Sequence, residues 1–472
     1  MKLVNKSYNG CFSILISCFL FITTSSYLMG ASLIVNIDSP NFRKISMAVP
    51  TINSTPTADS VSSEITNLMN FSRLFNVISP AAYKDLLSSL SSKKASSFIE
   101  SPSNASLSSI RLDTWKNIGV ESLVLSKIVS TKNSRFTIYI VCIDINKRAV
   151  VASKKYTNLQ PSGIKAATRR FCDHILEAYT GKPGIFSSKI VFVGKERSAS
   201  DNKQIYVCDF DGSNVQRISV DRSSIHLSPS WSSDGRYISY TSYSKKTPDI
   251  YIYDTKLKTT KRLIASPGLD SGSNWSANDK VIAYTTSQGN KADIFISDLT
   301  GKRRPFIKGS GLDVDPKFSP DGTKFAFVSG RYGAPHIFVA DISWKSDTNP
   351  VVTGEKRITF AGWYNATPAW SPASDKLVFA GFDKDINRFD LFMVAPDGRN
   401  LERLTINSGD NENPSWSPNS QLIVFQSNRV PGTNRKGRNN LYMMSKDGAS
   451  QVLLPTGLWE SYTPQWSKQL AD

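Results

Sequence analysis

An aromatic residue followed directly by serine recurs through the second half of this chain at a regular spacing. Trp231, Trp275, Phe318, Trp370, Trp416 and Trp466 lie 44, 43, 52, 46 and 50 residues apart. Around them runs a degenerate unit, seen as Ser228 to Gly235 (SPSWSSDG), Gly272 to Asp279 (GSNWSAND), Asp315 to Gly322 (DPKFSPDG), Thr367 to Ser374 (TPAWSPAS), Asn413 to Ser420 (NPSWSPNS) and Thr463 to Lys468 (TPQWSK). A period of this length, built of short strands, is that of a four-stranded propeller blade. The aromatic residue ends an inner strand and packs between blades. Ser-Pro-Asp-Gly is a turn in which Pro presets φ and Asp and Gly accept the tight return.

Alternating strands follow each turn, such as Tyr237–Tyr240 and Phe325–Val328. A third strand comes next: Asp249–Asp254, Asp293–Asp298, His336–Asp341, Asp390–Ala395 and Asn440–Ser445. A short fourth ends each unit, as in Lys261–Leu263 and Glu402–Thr405. Lys189–Val193, Ile205–Asp209 and Gln216–Ile218 supply outer strands with no aromatic-Ser unit before them, while the unit at Trp466 has an inner strand and nothing after it. The two halves complete each other. The expectation is a mainly β, six-bladed propeller over 185–472, closed by its last strand.

The segment 32–182 reads as a small mixed α/β domain. Strands are expected at Leu33–Asp38, Ile45–Val49, Val120–Ile128, Phe136–Asp144 and Val150–Tyr156. Helices are expected at Ala58–Phe71 and Ile164–Thr180, the latter with Ser162 as a cap, and the Ser-rich run Ser88–Ser109 reads as a loop. Gly181-Lys182-Pro183-Gly184 marks the boundary.

Residues 1–31 read as a Sec signal peptide: Lys2 and Lys6, then the apolar run Cys11–Ile22, then small residues to Ser32. Cleavage is expected between Ala31 and Leu33. The run continues past Cys18, which argues against lipidation there, and no Arg pair precedes it. Cys142, Cys172 and Cys208 remain, an odd number without close spacing, so neither a disulfide framework nor a zinc site is expected. The formal charge of +18 carries no long basic block. The richest stretch, Arg429–Arg438, is interrupted by Gly, Pro and Asn, so nucleic-acid binding is not expected.

No Gly-x-Ser-x-Gly elbow occurs, and none of His174, His226 and His336 stands beside a nucleophile motif. The enzymatic alternative is a metal-dependent, lactonase-like propeller hydrolase, for which Asp270, Asp313, Asp315 and Glu412 are candidate ligands. The competing account makes them loop carboxylates. A binding site has a simpler logic. The chain from each outer strand to the next inner strand crosses back to the channel mouth. The residues before each aromatic unit therefore form a ring: Ile225, His226 and Leu227; Leu269 and Asp270; Asp313 and Val314; Tyr364 and Asn365; Asn411 and Glu412; Ser461 and Tyr462. Of these, Leu269, Asp270, Asp313, Val314, Asn365 and Glu412 are the expected partner contacts.

The order of signal, strand Ile34–Asp38, Trp115–Ser122 (WKNIGVES), Tyr179–Phe186 (YTGKPGIF) and six Trp-Ser-Pro-Asp-Gly-like repeats resembles the TolB family of the Tol–Pal system. The resemblance covers essentially the whole mature chain. It implies a periplasmic, non-enzymatic protein without cofactor, monomeric on its own and associated with the envelope through partners. It also implies that the propeller binds the lipoprotein Pal and the N-terminal region binds TolA, in a system supporting outer-membrane integrity, cell division and protein import. On the same ground, Leu33, Ile34, Val35, Asn36, Ile37 and Asp38 are expected to take part in TolA binding.

Overall fold

The computed structural model describes residues 43–470 apart from 53–54, 198–201, 290, 386, 407 and 434. The expected signal peptide and the expected strand Leu33–Asp38 lie outside the described residues.

The first region is a five-stranded sheet. Its strands are β1 (Ile45–Ala48), β2 (Phe75–Val77), β3 (Ser122–Thr131), β4 (Arg135–Asp144) and β5 (Ala149–Leu159), in the order β2-β1-β3-β4-β5. β1 runs parallel to both neighbours, and the rest is antiparallel. On one face pack α1 (Pro56–Phe71), capped by the Thr55 hydroxyl, and α5 (Pro161–Thr180). Pro161 opens α5, and Gln160 holds the cap position without a side-chain bond, so Ser162 is not the cap.

The run Ser88–Ser109 is helical rather than a loop. α2 (Leu87–Leu90), α3 (Lys93–Glu100) and a short 3-10 turn (Asn104–Ser109) cover the other face of the sheet, followed by α4 (Leu112–Asn117). The serines that suggested a loop are caps. Ser92 Oγ accepts from Ala95 N at 3.2 Å, and Ser103 and Ser106 form a reciprocal capping box. Between them Leu90, Phe98, Ile99 and Leu107 bury against Trp115 and the sheet.

Six four-stranded antiparallel sheets follow as blades. Blade 1 joins the chain's last strand, Glu460–Trp466, to Lys189–Lys195, with Trp466 opposite Ile190. The closure that the unpaired half-units required is thus present. Trp231, Trp275, Phe318, Trp370, Trp416 and Trp466 are all at least nine-tenths buried between neighbouring blades. Four indole N–H groups find partners there: Trp275 donates to Ser230 O, Trp370 to Lys317 O, Trp416 to Ala369 O and Trp466 to Ser188 Oγ.

Each inner strand carries one bulge, three residues before its aromatic. Ser228, Gly272, Asp315, Thr367, Asn413 and Thr463 all adopt left-handed φ, between 43° and 62°, where the strand register shifts. For a β-branched residue such as Thr367 or Thr463 this conformation is costly. Its recurrence in six blades shows that the fold imposes it: the bulge re-aims the strand toward the channel axis.

The two regions share a core. Ile65, Phe171 and Ile175 of the helices are continuous with Phe186, Phe192, Val424 and Trp466 of blades 1 and 6. Phe71, Phe186 and Phe210 meet edge to face. Buried Arg169 on α5 bonds Glu64 at 2.9 Å, Asp209 at 2.8 Å and Asp211 at 2.6 Å. Asp173, also on α5, accepts from Phe186 N, Ser187 N and Ser187 Oγ at 2.7, 2.8 and 2.5 Å. A Cβ at Gly184 would fall 2.1 Å from that carboxylate, so only glycine lets the connecting chain pass so close. Cys142, Cys172 and Cys208 are free and buried.

Candidate partner-binding mouth of the propeller

The strand order of a blade gives the channel two chemically different ends. At one end lie the aromatic-Ser turns together with the turns between third and fourth strands. The Ser232 hydroxyl donates to Asp234 at 2.6 Å and accepts from Tyr237 N at 2.8 Å, and the same lock recurs at Ser319, Ser371 and Ser417. The turn at Asn278-Asp279, which lacks both Pro and Gly, keeps the lock, with Ser276 Oγ donating to Asn278 at 2.8 Å and accepting from Val281 N at 3.1 Å, and adds a contact to the neighbouring blade. Asp279 takes the left-handed position and accepts Ser233 N and Asp234 N of the adjacent blade. Asp209 and Asp211, the propeller's anchors for Arg169, belong to this end, and Pro183 lines the channel beside its turns. The α/β region is therefore seated on this rim.

The other end is open. It is built from the crossovers between blades and the loops between second and third strands. At or next to the start of each inner strand here stands a polar residue, His226, Asp270, Asp313, Asn365, Asn411 or Ser461, and all six are buried. Five of them staple the crossover that precedes them. His226 Nε2 meets Asp221 O at 2.8 Å, Ser266 Oγ donates to Asp270 at 2.8 Å, Asn365 donates to Ala361 O at 2.9 Å, Asn411 reaches Asp390 and Ser408, and Ser461 meets Thr456 Oγ1 at 2.9 Å. Asp313 instead receives Arg331 at 3.2 Å. Burial lowers the pKa of His226. It also holds His336, which sits against Arg357 and Asn365, down at about 4. Both imidazoles are therefore neutral members of the scaffold at ordinary pH.

This corrects the expected contact set. Asp270, Asp313 and Asn365 are not loop-tip contacts. They are closed inside, because a crossover with few backbone partners needs buried polar side chains to satisfy it. Val314 and Glu412 are half-buried, Val314 against Trp370's cluster and Glu412 accepting from Gln426 at 3.2 Å. Leu269 alone of the six is well exposed, at 52%. The proposed metal ligands are similarly dispersed. Asp270, Asp313, Asp315 and Glu412 each have a different partner: Ser266, Arg331, Thr367 N and Gln426. No group of three or more metal-ligating side chains converges among the described residues.

What the open end does display is apolar. Val220 and Ile225 lie in or at the end of the crossover from blade 1 to 2, Leu269 opens the inner strand of blade 3, and Leu312 precedes that of blade 4. Phe360, Trp363 and Tyr364 follow from blade 4 to 5, and Ile406 from blade 5 to 6. Tyr243 and Tyr332 occupy second-to-third-strand loops. All are exposed, from 36% at Ile225 and Tyr364 to 74% at Val220. Apart from Ile225, Leu269 and Tyr364, the sequence reading missed them. Their signal was apolar side chains set among Gly, Ser and Asn, where core strands do not reach.

Residues 176–470 match the family described as the TolB beta propeller domain. The chain belongs to the TolB family. A Tol-Pal system protein TolB of Desulfosudis oleivorans is 35% identical over 46% of this chain and 47% of its own length. A protein TolB homolog of Chlorobium luteolum is 29% identical over 67% of this chain and 68% of its own. The chain thus spans about half the length of the first of these relatives. The crystal structure of TolB from Acinetobacter baumannii superposes with a TM-score of 0.71 at 25% identity, covering 90% of this chain and 97% of that one. All three are named TolB or TolB homolog, the first of them as a Tol-Pal system protein, and none carries the name of an enzyme. No helix among the described residues is long and apolar enough to cross a membrane.

Proposed function

We propose that this protein is a periplasmic, non-catalytic member of a Tol–Pal system that docks the lipoprotein Pal on the open mouth of its propeller and TolA through its N-terminal segment. In that role it supports outer-membrane integrity and cell division. The observation that carries the docking surface is the concentration of exposed Leu, Ile, Phe, Trp and Tyr side chains on the one rim that the α/β region leaves free. Exposed apolar surface gathered in one place marks an interaction site. The strands behind it are stiff, and buried staples such as Asn365 and Asn411 fix the crossovers, so little ordering entropy is lost on binding. The signal-like sequence of residues 1–31 supports the compartment, and the family supports the partners.

Capture of partners from envelope extract by the mature protein tests the assignment. Recovery of Pal and TolA is the expected outcome. Removing Ser32–Ile37 should lose TolA and keep Pal. Turnover of a lactone with neither protein captured would replace the proposal with the hydrolase.

A further inference from the structure

The repeat is lengthened at one sector of the open rim. In blades 2, 3 and 4 the second and third strands pair as Tyr237 with Asp254, Val281 with Asp298 and Lys324 with Asp341, a hairpin of constant length. In blade 6 Leu422 pairs with Ser445, six residues more, and in blade 1 Lys189 pairs with Asp209, three more. Additions to a repeat often collect on the face that binds. Both additions meet at Trp459, in the crossover from blade 6 to 1, whose backbone N–H donates to Lys195 O at 3.0 Å. Arg438 of the blade 6 hairpin lies 3.6 Å from the centre of its ring, and Arg197 of the blade 1 loop lies 4.9 Å from it.

Arg429, Arg435, Lys436 and Arg438 make this hairpin the most basic stretch of the chain, but they are not equally free. Arg429 turns inward to Asn411 at 2.7 Å and Gln451 at 2.5 Å, and Lys436 pairs with Asp410 at 2.9 Å. The described acids that adjoin the clasp are engaged as well. Glu196 accepts the Tyr206 hydroxyl at 2.8 Å, and Glu460 stands 4.0 Å from Lys195. On the hairpin's other side, the blade 5 loop that Lys436 meets at Asn387 O carries Asp385 between Lys384 and Arg388. Among the described residues Arg197, Arg435 and Arg438 have no carboxylate within ion-pair distance. Stacking occupies the face of a guanidinium and leaves its edge N–H groups free, so the indole holds two donor forks without using them. A carboxylate matches such a fork with two parallel hydrogen bonds.

We propose that Arg197 and Arg438, stacked on Trp459, bind carboxylates of an acidic segment on the protein that docks at the open mouth. The inference rests on that docking and names the partner's chemistry at one sector of it. Trp459 is half-buried, and Arg438 sits back from the hairpin's tip, since strand pairing reaches outward past it to Arg429 opposite Lys436. Two recessed forks suit a narrow polypeptide and not a flat lipid surface.

Calorimetric titration at low salt tests this, with blocked hexaglutamate as the probe beside blocked hexaglutamine and phosphatidylglycerol vesicles. Hexaglutamate should bind saturably at one site, and hexaglutamine at least tenfold more weakly. Arg438→Gln and Arg197→Gln should each weaken hexaglutamate at least fivefold. Arg438→Lys, which keeps the charge and loses the fork, should weaken it at least threefold, all three with an unchanged melting temperature. Lys245→Gln combined with Lys246→Gln, which removes two exposed cations from the blade 2 loop of the same rim, should leave hexaglutamate bound as tightly as before. An equal loss in that pair would reduce the effect to the general charge of a basic protein and overturn the proposal. Failure of hexaglutamate to bind, or vesicles bound in its place through the same arginines, would also overturn it. The soluble domain of Pal, titrated in parallel, separates a failure of the clasp from a failure of mouth docking. Hexaglutamate bound without Pal would sink the docking and keep the clasp. Pal bound equally by the parent and by the two arginine variants would sink the clasp and keep the docking.

Discussion

The two ends of the channel are made from the same six repeats and have opposite fates. At the turn end, apolar and charged groups are paired off: Phe71, Phe186 and Phe210 meet one another, and Arg169 is satisfied by three carboxylates. At the crossover end the polar side chains are paired internally and the apolar ones are left outside, as Asn365 beside Trp363 illustrates. One end behaves as an intramolecular core and the other as an exposed apolar surface. Exposure of large side chains here follows from location in the repeat. Inner-strand starts must bury polar residues to hold the crossovers, and the crossovers then have their apolar residues left over.

That contrast can be broken most severely at the seam. Deleting Tyr462–Asp472 removes the inner strand of blade 1, and with it Trp466, which belongs to the core shared by both regions. Loss of a large buried aromatic alone costs about 3–5 kcal/mol. Loss of the strand should abolish the cooperative melt of the propeller, and a truncated protein melting as the parent does would refute the closure.

Next in size is Arg169→Ala. It leaves Asp209 and Glu64 facing a cavity where a buried guanidinium stood, and breaking such a cluster costs about 3–5 kcal/mol. The α/β region should become protease-sensitive while the propeller persists.

The seam should also respond to pH. Burial pushes Asp173 up to about 6 from the ordinary 3.8, against three donated hydrogen bonds. The folded state therefore holds that proton more tightly than the unfolded chain. The contribution to stability is complete below about pH 4 and is lost as pH rises through 6, an effect on the order of 3 kcal/mol. Denaturant midpoints between pH 4 and 7 should show this slope, and Asp173→Asn should remove it. The smallest effect is expected at the open end, where Leu312→Ala and Ile406→Ala should change stability by no more than about 0.5 kcal/mol.

Much of this was legible in the sequence, for identifiable reasons. The six aromatic-Ser units announce the blades because each must supply one large side chain to the inter-blade core. The unpaired Lys189–Val193 and the solitary strand at Trp466 announce closure because edges must be paired. The serines of 88–109 misled, since a capping serine and a loop serine are the same letter, and only Phe98, Ile99 and Leu107 buried around Trp115 distinguish them. The end of the channel where the crossovers converge was legible, but which of its side chains are exposed was not. Sequence places Asp270, Asp313 and Asn365 at the right end of the right strands. Whether such a side chain faces solvent or turns back to a crossover depends on the register at the bulge, and no residue type encodes that.

The most direct test of the account is the affinity of the soluble domain of Pal for Leu269→Arg and for Asp234→Ala, each compared with the unmodified protein. Leu269 stands on the open rim and Asp234 in a turn at the opposite end. A new charge in a desolvated centre should cost about 2 kcal/mol, roughly a thirtyfold loss of affinity, with little change in melting temperature. Asp234→Ala should bind as the parent does. Undiminished binding by Leu269→Arg together with loss in Asp234→Ala would place the partner at the other end and contradict the account.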